Sequence, residues 1–78
     1  MKVGIWDNDW IGELEFVQDG AAELVMIDGQ EIATIRQVGS NLFRYSSAHD
    51  SAFGNIIRSE RLVCIVSGLE RDGYFVYK

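Results

Sequence analysis

Few residues in this chain are equipped for covalent or proton chemistry: Cys64, the adjacent His49 and Asp50, the turn carboxylates Asp7 and Asp9, and the alternating pair Glu13 and Glu15. A thiol with an imidazole base and a carboxylate to orient it is the constellation of a cysteine nucleophile. Cys64, however, stands inside the apolar run Leu62-Val63-Cys64-Ile65-Val66, where a free cysteine behaves as a small hydrophobe and burial opposes the thiolate. Asp7 and Asp9, joined by Asp50, offer oxygen ligands to a hard cation, yet a turn rich in Asp and Asn spends such side chains on its own amides. Glu13 and Glu15 would serve as an acid/base pair only if enclosed, and on a strand they read as the solvated side. No phosphate-cradling glycine loop, zinc-ligand spacing or nucleophile elbow occurs. The residues point away from an enzyme, and no metal or cofactor is expected.

The totals narrow the classes further. A chain of 78 residues is a single domain, 1–78, in a size range where folding hides only about 60% of the unfolded surface. With one cysteine no internal disulfide can reinforce the core, and a hydrophobic content of 47% is generous for so small a body. Self-association is the expected source of extra burial, so a homo-oligomer is favoured over a monomer. The net charge of −5 disfavours indiscriminate binding to phosphate backbones or anionic membranes, without excluding a local basic patch. No apolar run approaches the roughly 20 residues of a membrane span. Met1-Lys2-Val3-Gly4 leads straight into a strand pattern rather than a signal peptide. A cytoplasmic protein with no membrane partner is the expectation, and a lone free cysteine agrees with a reducing compartment.

The elements that would position these residues are strands. The stretch from Ile11 to Val38 is apolar and β-prone and is broken at Asp19-Gly20 and Asp28-Gly29, the signature of two hairpins in tandem. Two-residue turns would place Leu14, Phe16, Val25, Ile27, Ile32 and Thr34 on the core side. The reverse side would then carry Leu24, Met26, Ala33 and Ile35, with Glu13, Glu15 and Glu31 around them. Val3, Ile5 and Trp6 make a short first strand, and Leu42, Phe43 and Tyr45 another. Ser46 to Ser51 is the most loop-like segment. Ala52 to Arg61 is ambiguous: Phe53, Ile56 and Ile57 have helical spacing with Asp50 as an N-cap, while Gly54 and the adjacent isoleucines suit a strand, which is slightly favoured. Leu62 to Val66 reads as a buried strand. Glu70-Arg71-Asp72-Gly73 then turns the chain into a last strand, Tyr74 to Tyr77. The fold expected is all-β, a small, strongly bent antiparallel sheet or a small closed or half-closed SH3-like barrel, with a short helix near 52–60 as the one helical alternative.

Aromatic and basic residues interleave late in the chain: Phe43, Arg44 and Tyr45, then Arg58 and Arg61 beside Ile56-Ile57. Stacking platforms flanked by arginine hold single-stranded nucleic acid; the favoured reading is that Phe43 and Tyr45 are core and the arginines pair with the acidic excess. Trp6 and Trp10 flank the acidic turn as core plugs or as anchors of a protein contact.

In order along the chain, these features resemble the Sm-like family of small bent-sheet barrels that assemble into rings and bind RNA. Gly12, Leu14 and Asp19 are similar to the opening of that family's first motif, with one extra residue before the aspartate. Ala22-Glu23 stands where the family has methionine-asparagine, ahead of Leu24-Val25-Met26. Phe53-Gly54-Asn55-Ile56-Ile57-Arg58-Ser59-Glu60 followed by Leu62-Val63-Cys64-Ile65 resembles the second motif, with one residue missing and Ser59 in place of its second glycine. The resemblance spans most of Val3 to Val66. It implies a homo-oligomeric ring and assigns Glu23 and Arg58 to the positions of the base pocket, with Tyr45 or Phe43 near the bases. Glu23 departs from the family asparagine and would repel phosphate, and only Met1 and Lys2 precede the first strand where the family carries a helix. Leu24 to Ile35 also resembles the carbon storage regulator family, whose RNA-binding surface is basic, unlike this chain.

Two function classes follow. One is a non-enzymatic Sm-like ring that binds single-stranded RNA or scaffolds RNA-associated proteins. The other is a small acidic protein-binding module or inhibitor that occupies a basic surface of its target through Glu13, Glu15, Glu31, Trp6 and Trp10.

Overall fold

The computed structural model describes residues 2–4, 11–47, 53–68 and 71–78. The tandem hairpins form, the second with its corner at Asp28-Gly29 as expected. The first has its loop at Gly20-Ala21, one residue beyond the expected Asp19-Gly20, because only Gly20 takes positive φ there and Asp19 stays paired in β2. Strand β2 (Ile11–Asp19) folds back on β3 (Ala22–Ile27) with Asp19 opposite Ala22, and β3 folds back on β4 (Gln30–Gly39) with Ile27 opposite Gln30. At the second corner both loop residues have positive φ, 51° at Asp28 and 77° at Gly29. That is the requirement of a type I′ turn, and it explains why aspartate followed by glycine stands there. Asp28 also ties the corner to the start of β2: its Oδ1 accepts from the Glu13 amide at 2.8 Å, and its own amide donates to the Glu13 carbonyl at 3.0 Å.

The remaining elements are β1 (Lys2–Gly4), β5 (Leu42–Ser47), α1 (Phe53–Glu60), β6 (Val63–Ser67) and β7 (Asp72–Tyr77). All strand pairings are antiparallel, in the order β1-β2-β3-β4-β5-β7-β6. The all-β class and the bent antiparallel sheet are as expected. The closed barrel is not: the sheet ends at β1 and β6, and no pairing among the described strands joins the two edges.

Three local corrections have physical causes. Residues 53–60 form a helix rather than the favoured strand, because the i, i+3, i+4 spacing of Phe53, Ile56 and Ile57 turns all three onto the sheet, where they are buried with Gly54. Arg58 in its last turn complements the helix dipole. In β4, a bulge opposite Val25 and Met26 leaves Ile32 as an extra residue. The face therefore changes, and Ile32, Ala33 and Ile35 are all in the core while Thr34 is only half-buried. The freed Ile32 carbonyl accepts from the buried Ser47 hydroxyl at 2.9 Å. Lastly, β6 is an edge strand that alternates, with Val63 buried and Cys64 and Val66 exposed, not a strand buried on both sides.

One face of the sheet holds the core. Facing pairs Leu14 with Ile27, Phe16 with Val25, Ile35 with Tyr45 and Phe43 with Phe75 line it, and α1 lies against β6 and β7 on that side. Phe53 packs on Tyr45 with ring centroids 5.6 Å apart, and Phe43 stacks on Phe75 at 5.4 Å. Gly73 sits opposite Tyr45, where a Cβ would run into the Tyr45 ring and the Ser67 carbonyl. No described element covers the other face of the sheet.

Candidate functional site

Arg61, on the short link between α1 and β6, ties side chains of three strands together. Its guanidinium meets Glu23 of β3 with two parallel hydrogen bonds, Nη1 to Oε1 at 2.8 Å and Nη2 to Oε2 at 2.6 Å. Nη1 also donates to the Tyr77 hydroxyl at 2.9 Å, and the guanidinium carbon lies 4.0 Å from the centre of the Phe16 ring. The fork geometry of arginine suits both jobs, bidentate pairing and stacking. The carboxylate bonds push the Arg61 pKa above its ordinary value and outweigh the opposing effect of burial. The two side chains are 21 and 24% exposed, so the ion pair keeps some access to water and avoids the full desolvation cost of a dry interior.

The residues that the Sm-like resemblance assigns to a base pocket are distributed differently. Glu23 is engaged by Arg61. Arg58, exposed on α1, donates to Asn55 Oδ1 at 2.6 Å, one turn earlier on the same helix. Tyr45 is fully buried, so its ring presents no face to a base. Phe43 is half-buried between Phe75 and Tyr77. The Tyr45 hydroxyl has no hydrogen-bond partner. Burial raises its pKa above the usual 10.0, with the Arg58 charge opposing and Asp72 adding to the shift.

Glu13, Glu15 and Glu31 are exposed, and Glu15 and Glu31 flank the half-buried Met26 in one cross-strand row. Cys64 is exposed rather than enclosed by its apolar neighbours. His49, Asp50, Asp7, Asp9, Trp6 and Trp10 lie outside the described residues. A shallow recess of about 200 Å³ between β4 and β5 is lined by Glu31, Ile32, Ala33, Thr34, Ser46 and Ser47. Among the described residues no cluster of His, Cys, Asp and Glu could hold a metal ion, and no helix is long and apolar enough to cross a membrane.

Sequence reasoning anticipated that the arginines pair with the acidic excess, but not which arginine takes which carboxylate. Glu23 and Arg61 are 38 residues apart, and neither Phe16 nor Tyr77 carried a signal.

Arg61→Ala leaves Glu23 and Tyr77 without their partner and is expected to lower stability by about 1.5–3 kcal/mol in urea titration. Arg61→Lys should recover less than half of that, since an ammonium neither forks nor stacks. Tyr45 gives a pH dependence. Its raised folded-state pKa means the unfolded chain gives up the proton first, so stability is held below pH 10.0 and falls as pH rises through the folded value. Tyr45→Phe, which removes an unpartnered hydroxyl, should be neutral or stabilising at pH 7 and should flatten the alkaline decline in a pH series of thermal melts. No protein-family model, curated protein or solved structure matches the chain.

Proposed function

We propose that this chain is a non-enzymatic, self-assembling β-sheet protein of Sm-like type, whose assemblies bind single-stranded RNA or gather RNA-associated proteins. The observation that carries the reading is the free edge of β6. Leu62 is 79% exposed and Val66 58% exposed, with the exposed Cys64 between them. A bare apolar edge is one that proteins otherwise blunt with charge, proline or a covering element. The Leu62 carbonyl accepts from the Lys78 amide at 3.0 Å. Antiparallel alternation therefore turns the backbone of Cys64 towards β7 and that of Ile65 outwards, ready to hydrogen-bond a further strand. A second copy is the natural supplier: the domain is small, its sheet is one layer, and pairing through the edge buries apolar side chains that the monomer leaves in water.

The acidic face favours a second reading as a protein-binding module. Glu15, Met26 and Glu31 set an apolar contact between two exposed carboxylates, a pattern suited to a basic surface on another protein.

The readings differ in mass. Light scattering on the wild type is expected to give an oligomer, and Leu62→Lys with Val66→Lys is expected to give a monomer with an unchanged far-UV spectrum, because like charges on a free edge block strand addition. A monomeric wild type, or variants that stay oligomeric, would refute assembly through β6. On the acidic reading, titration with oligolysine should show binding that weakens roughly tenfold when Glu15 and Glu31 are reversed to Lys. Equal binding by wild type and reversed variant would exclude it.

A further inference from the structure

The face of the sheet turned away from α1 carries a row that the proposed assembly does not use. Ala22 of β3, Arg36 of β4, Arg44 of β5 and Tyr74 of β7 stand directly opposite one another, strand by strand. Facing residues share a face, so Arg36, Arg44 and Tyr74 project from adjacent strands on the same side of the sheet. Arg36 and Arg44 are exposed and Tyr74 is 37% exposed.

Like charges directly opposite in a ladder repel and destabilise it, and they are normally relieved by a carboxylate. Here none is supplied. Among the described arginines, Arg61 is bound to Glu23 and Arg58 to Asn55, and Arg71 has an interaction of its own, while Arg36 and Arg44 have no partner. Asp72, opposite Ser46, lies diagonal to Arg44 without pairing with it. Asp19 closes the row on β2, opposite Ala22. In a chain with 12 acidic and 7 basic residues, carboxylates are plentiful and yet leave this pair bare.

We infer that the row Arg36, Arg44 and Tyr74 is a binding surface for single-stranded RNA, with phosphates on the two guanidiniums and a base stacked on Tyr74. Two adjacent cations require an anion and an exposed ring beside them suits a planar partner; a single nucleic-acid strand presents both in alternation. An acidic protein segment would satisfy the arginines but leave the ring unused. The neighbouring row offers the half-buried hydroxyls of Thr34 and Ser46, within one strand step of the arginines, as partners for ribose hydroxyls. The inference rests on the RNA half of the function proposed above, and it moves the contact from Glu23, Arg58, Tyr45 and Phe43 to the open face.

Fluorescence anisotropy with a short labelled oligouridylate tests it. Wild type is expected to bind, and Arg36→Ala with Arg44→Ala should weaken binding at least tenfold and reduce the slope of log affinity against log salt by about 1.4, the loss of two phosphate contacts. Tyr74→Leu should weaken binding roughly tenfold while Tyr74→Phe keeps it. The matching deoxyoligonucleotide should bind several-fold more weakly. All three side chains are surface residues, and far-UV spectra and light scattering verify that the variants keep the fold and mass of the wild type. Unchanged affinity in the double arginine variant, no binding by wild type, equal binding of the deoxy strand, or equally tight binding of an oligoglutamate would each overturn the assignment. Mass alone reports assembly, so a wild type that oligomerises but ignores the oligonucleotide sinks this surface and leaves the β6 edge untouched.

Discussion

The constraint on which the architecture depends is a single side chain reaching across a gap that no described strand fills. In a flat sheet β3 and β6 would be separated by β4, β5 and β7, four spacings or about 19 Å. An arginine and a glutamate together do not reach that far, yet Arg61, just ahead of β6, holds Glu23 at 2.6 Å and stacks over Phe16 of β2. The sheet must therefore curl until its two ends approach. The bulges in β4, near Ile32 and again near Val38, and in β6 near Val66 supply the local bends. Phe53, Ile56 and Ile57 of α1 fill the concave side that this curling creates.

Closing a sheet with a side chain and a helix rather than with a strand pairing has a consequence. A barrel closed by hydrogen bonds has no edge to offer, whereas in this sheet no described strand pairs with the outer side of β6. The same arrangement leaves an entire sheet face uncovered by any described element. The fold thus separates two surfaces: an apolar edge, and a polar face that carries Arg36 and Arg44 in one cross-strand row and Glu15 and Glu31 about Met26 in another. Neither surface intrudes on the core, where Tyr45, Phe53 and Phe75 pack against one another. Substitutions on either surface can therefore be made without emptying that core.

Much of this was legible in the residues because its causes are local. Asp28-Gly29 specifies a turn whose two residues both need positive φ, and alternation on either side specifies the facing pairs of β2 and β3. What was not legible depended on tertiary context. The segment from Phe53 to Glu60 contains a glycine and two adjacent isoleucines that suit a strand, and the helix wins because a concave apolar face is there to receive its i, i+3, i+4 stripe. The bulge at Ile32 adds one residue to β4, and in a period of two a single residue is enough to move Ala33 and Ile35 from the reverse side to the core. Leu62 to Val66 reads as buried by composition, but its position in the strand order makes it an edge, and strand order is not written in any one strand. The candidate site was harder still. The Arg36, Arg44 and Tyr74 row comes from three strands, and only the pairing registers bring it together.

The claim that the open edge of β6 accepts a second copy turns on the backbone of one residue, Ile65. By the antiparallel alternation its amide faces away from β7, and no described strand pairs with that side, so its exchange with solvent reports directly on what lies alongside. Residue-resolved hydrogen–deuterium exchange on the intact protein at a series of concentrations measures it. Protection of the Ile65 amide that grows with protein concentration, while the Cys64 amide stays protected throughout, is the predicted result. An Ile65 amide that exchanges as fast as an exposed one at every concentration would contradict the account.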